Sequence, residues 1–127
     1  MTLEVLLPQL AAVQVDEMVA GEGLIRVAAR TREEPVACPG CGQVSDWEHS
    51  RYLRHVADEA IGGRPLRIDL SVRRLYCGNP TCPRRTFAEQ VAGLTVRYQR
   101  RTPALQGVVN AVAIALAGKA GARLLTL

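Results

Sequence analysis

The 127-residue sequence predicts an α+β fold: a small strand-rich body with an N-terminal β-hairpin, followed by a C-terminal helix. Three observations lead there. Val13–Arg30 and Tyr52–Val72 each read as strand, glycine turn, strand. Four cysteines stand as two short pairs, one on either side of the second of these stretches. From Thr102 onwards the apolar residues change to a helical period.

The opening Leu3–Ala12 is apolar but contains Pro8, which predicts a short helix or an irregular lead-in. "VQVDEMVA" (Val13–Ala20) alternates as a strand does. "GEG" turns the chain, and "LIRVAAR" (Leu24–Arg30) returns it. "YLRHVADEA" and "PLRIDLSV" form a second hairpin across "IGGR". In its second arm Leu66, Ile68, Leu70 and Val72 point one way, and Arg67, Asp69, Ser71 and Arg73 the other. Leu75 falls on the wrong parity, which predicts a bulge at Arg73–Arg74. "RTFAEQV" is one more short strand. Thr102 followed by Pro103 is an N-cap with proline in the first helical position. Leu105, Val108, Val109, Val112 and Leu116 then share one helix face, Gly118 ends the helix, and "KAGARLLTL" reads as a turn and the start of another.

The net charge of +4 is unevenly spread. Residues 1–50 carry three arginines against eight acids, whereas residues 51–101 carry eleven arginines against Asp58, Glu59, Asp69 and Glu89. A basic middle without lysine points to a polyanion, since the guanidinium fork suits phosphate and guanine edges. A solvated, arginine-rich sheet face is the plainer alternative. No basic n-region of a secretory signal precedes Arg26, and no apolar run is long enough to span a membrane. The chain therefore reads as cytoplasmic, where structural disulfides are rare.

In a reducing compartment C-x2-C followed by C-x4-C reads as a tetrahedral zinc site. Cys38, Cys41, Cys77 and Cys82 are the candidate ligands of a structural Zn2+, which would close the ends of the second hairpin. "CPGCG" supplies Pro39 to bend its loop, and Gly40 and Gly42 to turn amides towards sulfur; "CGNPTCP" makes a wider turn. Two redox pairs or unliganded core thiols are the alternatives. His49 reads as a loop residue and His55 as a strand-face residue, because four thiolates already complete the shell. These readings divide the chain into an N-terminal hairpin region (1–36), a zinc-ribbon domain (37–98) and a helical segment (99–127). An all-thiolate zinc is closed and structural. No Ser–His–carboxylate set or glycine-rich phosphate loop is visible, and Asp58–Glu59, adjacent on one strand, make a poor acid–base pair. No catalytic residue is assigned.

"CPGCG", "HSRYLRHVAD", "GGRPLRIDLSVRRLYCGNPTCPRRTFAEQV", "RRTPAL" and "AGKAGARLL" occur in this order between Cys38 and Leu125. Together they resemble the N-terminal region of bacterial insertion-sequence transposases of the IS-L-three family. The resemblance implies the same four zinc ligands, then a helix-turn-helix, and binding of the element's terminal inverted repeats in the nucleoid. The family continues into an RNase-H-like nuclease domain with an Asp-Asp-Glu metal triad. This sequence stops at Leu127, before a recognition helix or that domain, so the chain itself is expected not to cut DNA. The expected partner is double-stranded DNA, with Arg73, Arg74, Arg84, Arg85, Arg97, Arg100 and Arg101 as contacts. The alternatives are a zinc-stabilised protein–protein module, with a homodimer through the C-terminal helix, or a decayed transposase fragment.

Overall fold

The computed structural model describes residues 7–118. The expected start of a second helix lies outside them. A short 3-10 turn, Pro8–Ala12, leads into the hairpin of β1 (Val13–Ala20) and β2 (Ile25–Thr31). Two-residue strands β3 (Val36–Ala37) and β4 (Val44–Ser45) flank the first cysteine pair. The long hairpin of β5 (Glu48–Ile61) and β6 (Arg64–Tyr76) turns on Gly62 and Gly63, both at positive φ, as a two-glycine hairpin loop requires. β7 (Thr86–Ala88) follows the second pair, and α1 (Pro103–Ala117) ends the described chain.

The main sheet runs β1-β2-β6-β5, with β2 parallel to β6 and β7 pairing the far end of β6 where β2 has stopped. The N-terminal hairpin thus shares a sheet with the cysteine-bearing hairpin across the boundary expected at residue 36. Leu66, Ile68, Leu70 and Val72 are buried on one face with Val27, Ala29 and Val56. Leu10 of the 3-10 turn and Val91 and Leu94 of the loop after β7 complete this core.

The expected bulge at Arg73–Arg74 is not in β6, which runs unbroken. The register shifts lie in β5, between Glu48 and Ser50 and, beside the turn, between Asp58 and Ile61. Leu75 breaks the alternation because a second, smaller core lies on the opposite face. There it is buried with Cys38 and with Phe87, its cross-strand partner on β7. One uninterrupted strand serves two cores, one on each face.

α1 begins as the sequence predicts. The Thr102 Oγ1 accepts from the Leu105 amide at 3.2 Å. What holds the helix to the sheet is Asp58, buried at the edge of β5. Its Oδ1 accepts from Thr102 Oγ1 at 2.7 Å, and its Oδ2 from Gln9 Nε2 at 2.6 Å. The backbone adds a bond from Thr102 N to Ala57 O at 2.8 Å. Beyond this anchor no residue of α1 is buried, and Val108, Val112 and Leu116 remain exposed. Docking of the helix therefore depends on its first turn. Thr102→Val keeps the shape but strips both hydroxyl bonds, and is expected to cost about 1–3 kcal/mol. Faster amide exchange at Leu105 and Gln106 together with a lower Tm would register this; unchanged exchange would contradict it. Among the described residues no helix is long and apolar enough to cross a membrane.

Candidate metal centre and arginine groove

Two loops bring the four thiols together. The first is held between β3 and β4: Cys38 N donates to Gln43 O at 2.9 Å, and Gly42 N to Cys38 O at 2.8 Å. Gly42 has φ +80, as expected, and Gly40 N donates to Cys38 Sγ at 3.4 Å. At Gly40 the constraint is room rather than φ, and a side chain there would make Arg84 shift. A Cβ there would stand 3.0 Å from Arg84 Cδ and 3.3 Å from Cys82 Sγ. The second loop closes between β6 and β7, where Cys77 N donates to Arg85 O at 2.8 Å. The Asn79 side chain shapes it by accepting from Thr81 N and Oγ1. Ser45 Oγ donates to Tyr76 O at 2.6 Å and Tyr76 N to Trp47 O at 2.8 Å, tying the two loops' bases together.

The Sγ atoms of Cys38, Cys41, Cys77 and Cys82 all lie within 4.8 Å of one another. Cys38 and Cys82 are 3.9 Å apart, Cys41 and Cys77 3.6 Å. Thiolates ~2.3 Å from a tetrahedral zinc stand about 3.8 Å from each other, so the cluster fits that ion. None of the four is in a disulfide. Their acidities make the same point. The Gln43 amide, with the Asn79 side chain, pulls the Cys41 thiol down from 9.0 to about 7. At Cys77 the Asn79 amide favours the thiolate, but lost hydration and the sulfurs of Cys41, Cys38 and Cys82 outweigh it and push the thiol up to about 12. Four negative sulfurs at this spacing need a cation between them, and binding one releases their protons. The fold thus carries a tetracysteine site for a structural Zn2+.

Neither histidine joins the cluster. His49 faces the Tyr76 ring edge-on at 5.0 Å. His55 Nδ1 meets Asp69 Oδ1 at 2.5 Å on the solvent side of the sheet. Burial alone would raise the Asp69 pKa, but hydrogen bonds from His55 and Arg67 and the Arg67 charge hold it below the ordinary value.

The expected arginine cluster divides. Arg73 is a correction: it is 2% exposed and is no surface contact. It shares the inward face with Leu75, and Glu89 receives it in the seam where β2 ends and β7 begins. Arg73 Nη2 meets Glu89 Oε2 at 3.0 Å, and Arg73 Nε and N donate to Oε1 at 3.1 and 2.8 Å. Thr31 Oγ1 also donates to Oε1, and Arg73 Nη2 reaches Glu34 O at 2.7 Å. Desolvation opposes the Glu89 charge, yet the Arg73 and Thr31 bonds prevail and its pKa is lowered. The Arg73 pKa is raised, first through the Glu89 hydrogen bond.

Arg74, Arg84, Arg97 and Arg100 do converge. With Arg54 they line a groove of ≈ 550 Å³ between the cysteine loops and the 97–100 segment, and among the described residues no carboxylate lines it. Arg85 lies outside the groove, beside Arg84 in a shallow depression over the second cysteine loop. Arg101 is outside too and donates to Gln106 Oε1 at 3.3 Å. Tyr52, Arg54 and Tyr98 are groove residues that the sequence reading missed. The parity of β5 could have revealed the first two, since Tyr52 pairs Val72 and Arg54 pairs Leu70, placing both on the face of the main core and just beyond its edge. Tyr98 gave no such signal. Its φ of +66 makes it the one non-glycine residue in the left-handed region among those described, at a cost of about 1–2 kcal/mol relative to glycine.

Residues 34–82 match the family model described as the zinc-finger of transposase IS204/IS1001/IS1096/IS1165. Comparison with curated proteins and with solved structures gives no match. The matched segment contains the four clustered cysteines, β5 and β6; the groove's other wall, from Arg84 to Arg100, lies beyond it. Residues 34–82 therefore carry the zinc ribbon of the IS-L-three transposase family.

Proposed function

We propose that this chain is the DNA-binding front module of such a transposase, held in shape by zinc on Cys38, Cys41, Cys77 and Cys82. The observation that supports it most is the carboxylate-free groove lined by Arg54, Arg74, Arg84, Arg97 and Arg100. Arg54 is partly occupied, because its guanidinium donates to Gln90 Oε1, Val96 O and Gln99 O. The other four are the phosphate contacts. Arg84 packs its chain across Gly40, so the metal loop sets its position.

Phosphate contacts fix register and orientation without reading bases. The groove accordingly serves to grip duplex DNA, and reading of terminal inverted repeats falls to other parts of the transposase. The module is a binding unit and not a catalyst.

Fluorescence anisotropy with a short labelled duplex tests this. Each phosphate contact contributes about 0.9 to the slope of log K against log salt. Changing Arg74, Arg84, Arg97 and Arg100 together to alanine is expected to flatten the slope by up to about 3.6. A quadruple variant that stays folded and binds with the wild-type slope would overturn the proposal. Arg73 is left out of this set because its loss would unfold the seam.

A further inference from the structure

Tyr98 is 85% exposed, bulky, and held where glycine belongs. The reason lies in its turn. Gln99 N donates to Val96 O at 2.9 Å, so Arg97 and Tyr98 are the two central residues of a tight turn. The second of these takes positive φ, which suits glycine or asparagine. Arg54 holds the turn from below: one nitrogen, Nη2, donates to Val96 O at 2.5 Å and to Gln99 O at 2.7 Å, bracketing the two. The turn's backbone is thus held in place, and both side chains line the arginine groove. The Arg97 guanidinium stands over the Tyr98 ring, 4.7 Å from its centroid. Tyr52, also exposed, lines the same groove. An aromatic residue on a strained, clamped turn, open to solvent beside phosphate-binding groups, has the parts of a base-stacking platform.

From this geometry we infer that the Arg97–Tyr98 turn stacks an unpaired nucleobase, so that the groove prefers DNA with an unpaired end to fully paired duplex. The inference rests on the groove's binding DNA as proposed above. Bases within a duplex have both faces covered by their neighbours, so only a base outside the stack can use the ring. Phosphates on either side of that base then meet Arg74, Arg84 and Arg100.

The test uses the zinc-loaded chain and two labelled probes: a blunt duplex, and the same duplex with a short thymine overhang. Wild type is expected to bind the overhang probe roughly five- to a hundredfold more tightly, the range for one base stacked on an aromatic ring. Tyr98→Gly keeps the turn, because glycine accepts its φ, and holds or raises the Tm. This variant should lose the preference and bind both probes alike. Tyr98→Phe should keep the preference. Equal binding of both probes by wild type, or a preference that survives in Tyr98→Gly, overturns the stacking inference alone. Failure of wild type to bind the blunt duplex overturns the groove proposal itself.

Discussion

Metal-free protein will lose the ribbon end of the molecule. The small core there consists of three buried residues, Cys38, Leu75 and Phe87. So few side chains cannot hold two loops and three short strands by burial alone. Zinc on four thiolates contributes ~10 kcal/mol or more of folding free energy in sites of this type. Chelation, or serine in place of Cys38 or Cys77, is therefore expected to abolish amide protection in β3, β4, β7 and the far end of β6, and to lower the Tm sharply. The zinc-loaded protein should contain one equivalent of metal per chain. DNA affinity should fall with it, since Pro39 and Arg84 form one wall of the groove. Equal thermal stability with and without chelator would refute a structural role for the site.

The second large effect is expected at the buried pair. The Arg73 and Glu89 side chains are 3% and 4% exposed. Removing either partner leaves an unpaired charge in the interior, at a cost of about 3–5 kcal/mol. Glu89→Gln should thus lower the Tm by many degrees although it lies outside the groove and the metal centre. Arg73→Met with Glu89→Met leaves no stranded charge and should be more stable than either single change. A double variant worse than both singles would show that the hydrogen bonds to Thr31 and Glu34, rather than the charges, carry the seam. The pair also predicts acid sensitivity. The Glu89 pKa is lower folded than unfolded, so its contribution is full above the ordinary carboxylate range. It fades as pH falls through the folded value, and Glu89→Gln should weaken that acid limb.

Much of the local structure is legible from neighbours in the chain. The strand Val13–Ala20, the Gly62–Gly63 turn and the Thr102–Pro103 start of α1 each rest on residues within one turn or one alternation of each other. The cysteine cluster is legible for a different reason: thiol pairs at short spacing in a chain lacking a large core have few other uses. Arg73 shows where such reading stops. Its residue type and its neighbour Arg74 suggest a surface patch. Only the arrival of Glu89, just after β7, and of Thr31 from β2 makes it an interior residue. Leu75 is the same case: its parity alone reads as a bulge, and only the second core on that face accounts for it.

Periodicity, turn residues and thiol spacing act over a few residues, and they settled the hairpins, the helix start and the metal ligand set in the chain itself. The parallel pairing of β2 with β6, the division of the arginines between seam and groove, and the clamping of the Tyr98 turn by Arg54 were decided by contacts between different elements, from 16 positions apart at Arg73–Glu89 to 42 at Arg54–Val96. Such contacts depend on which strand edge is free and which face is already covered. Both are properties of the assembled sheet, and no short stretch of residues encodes them.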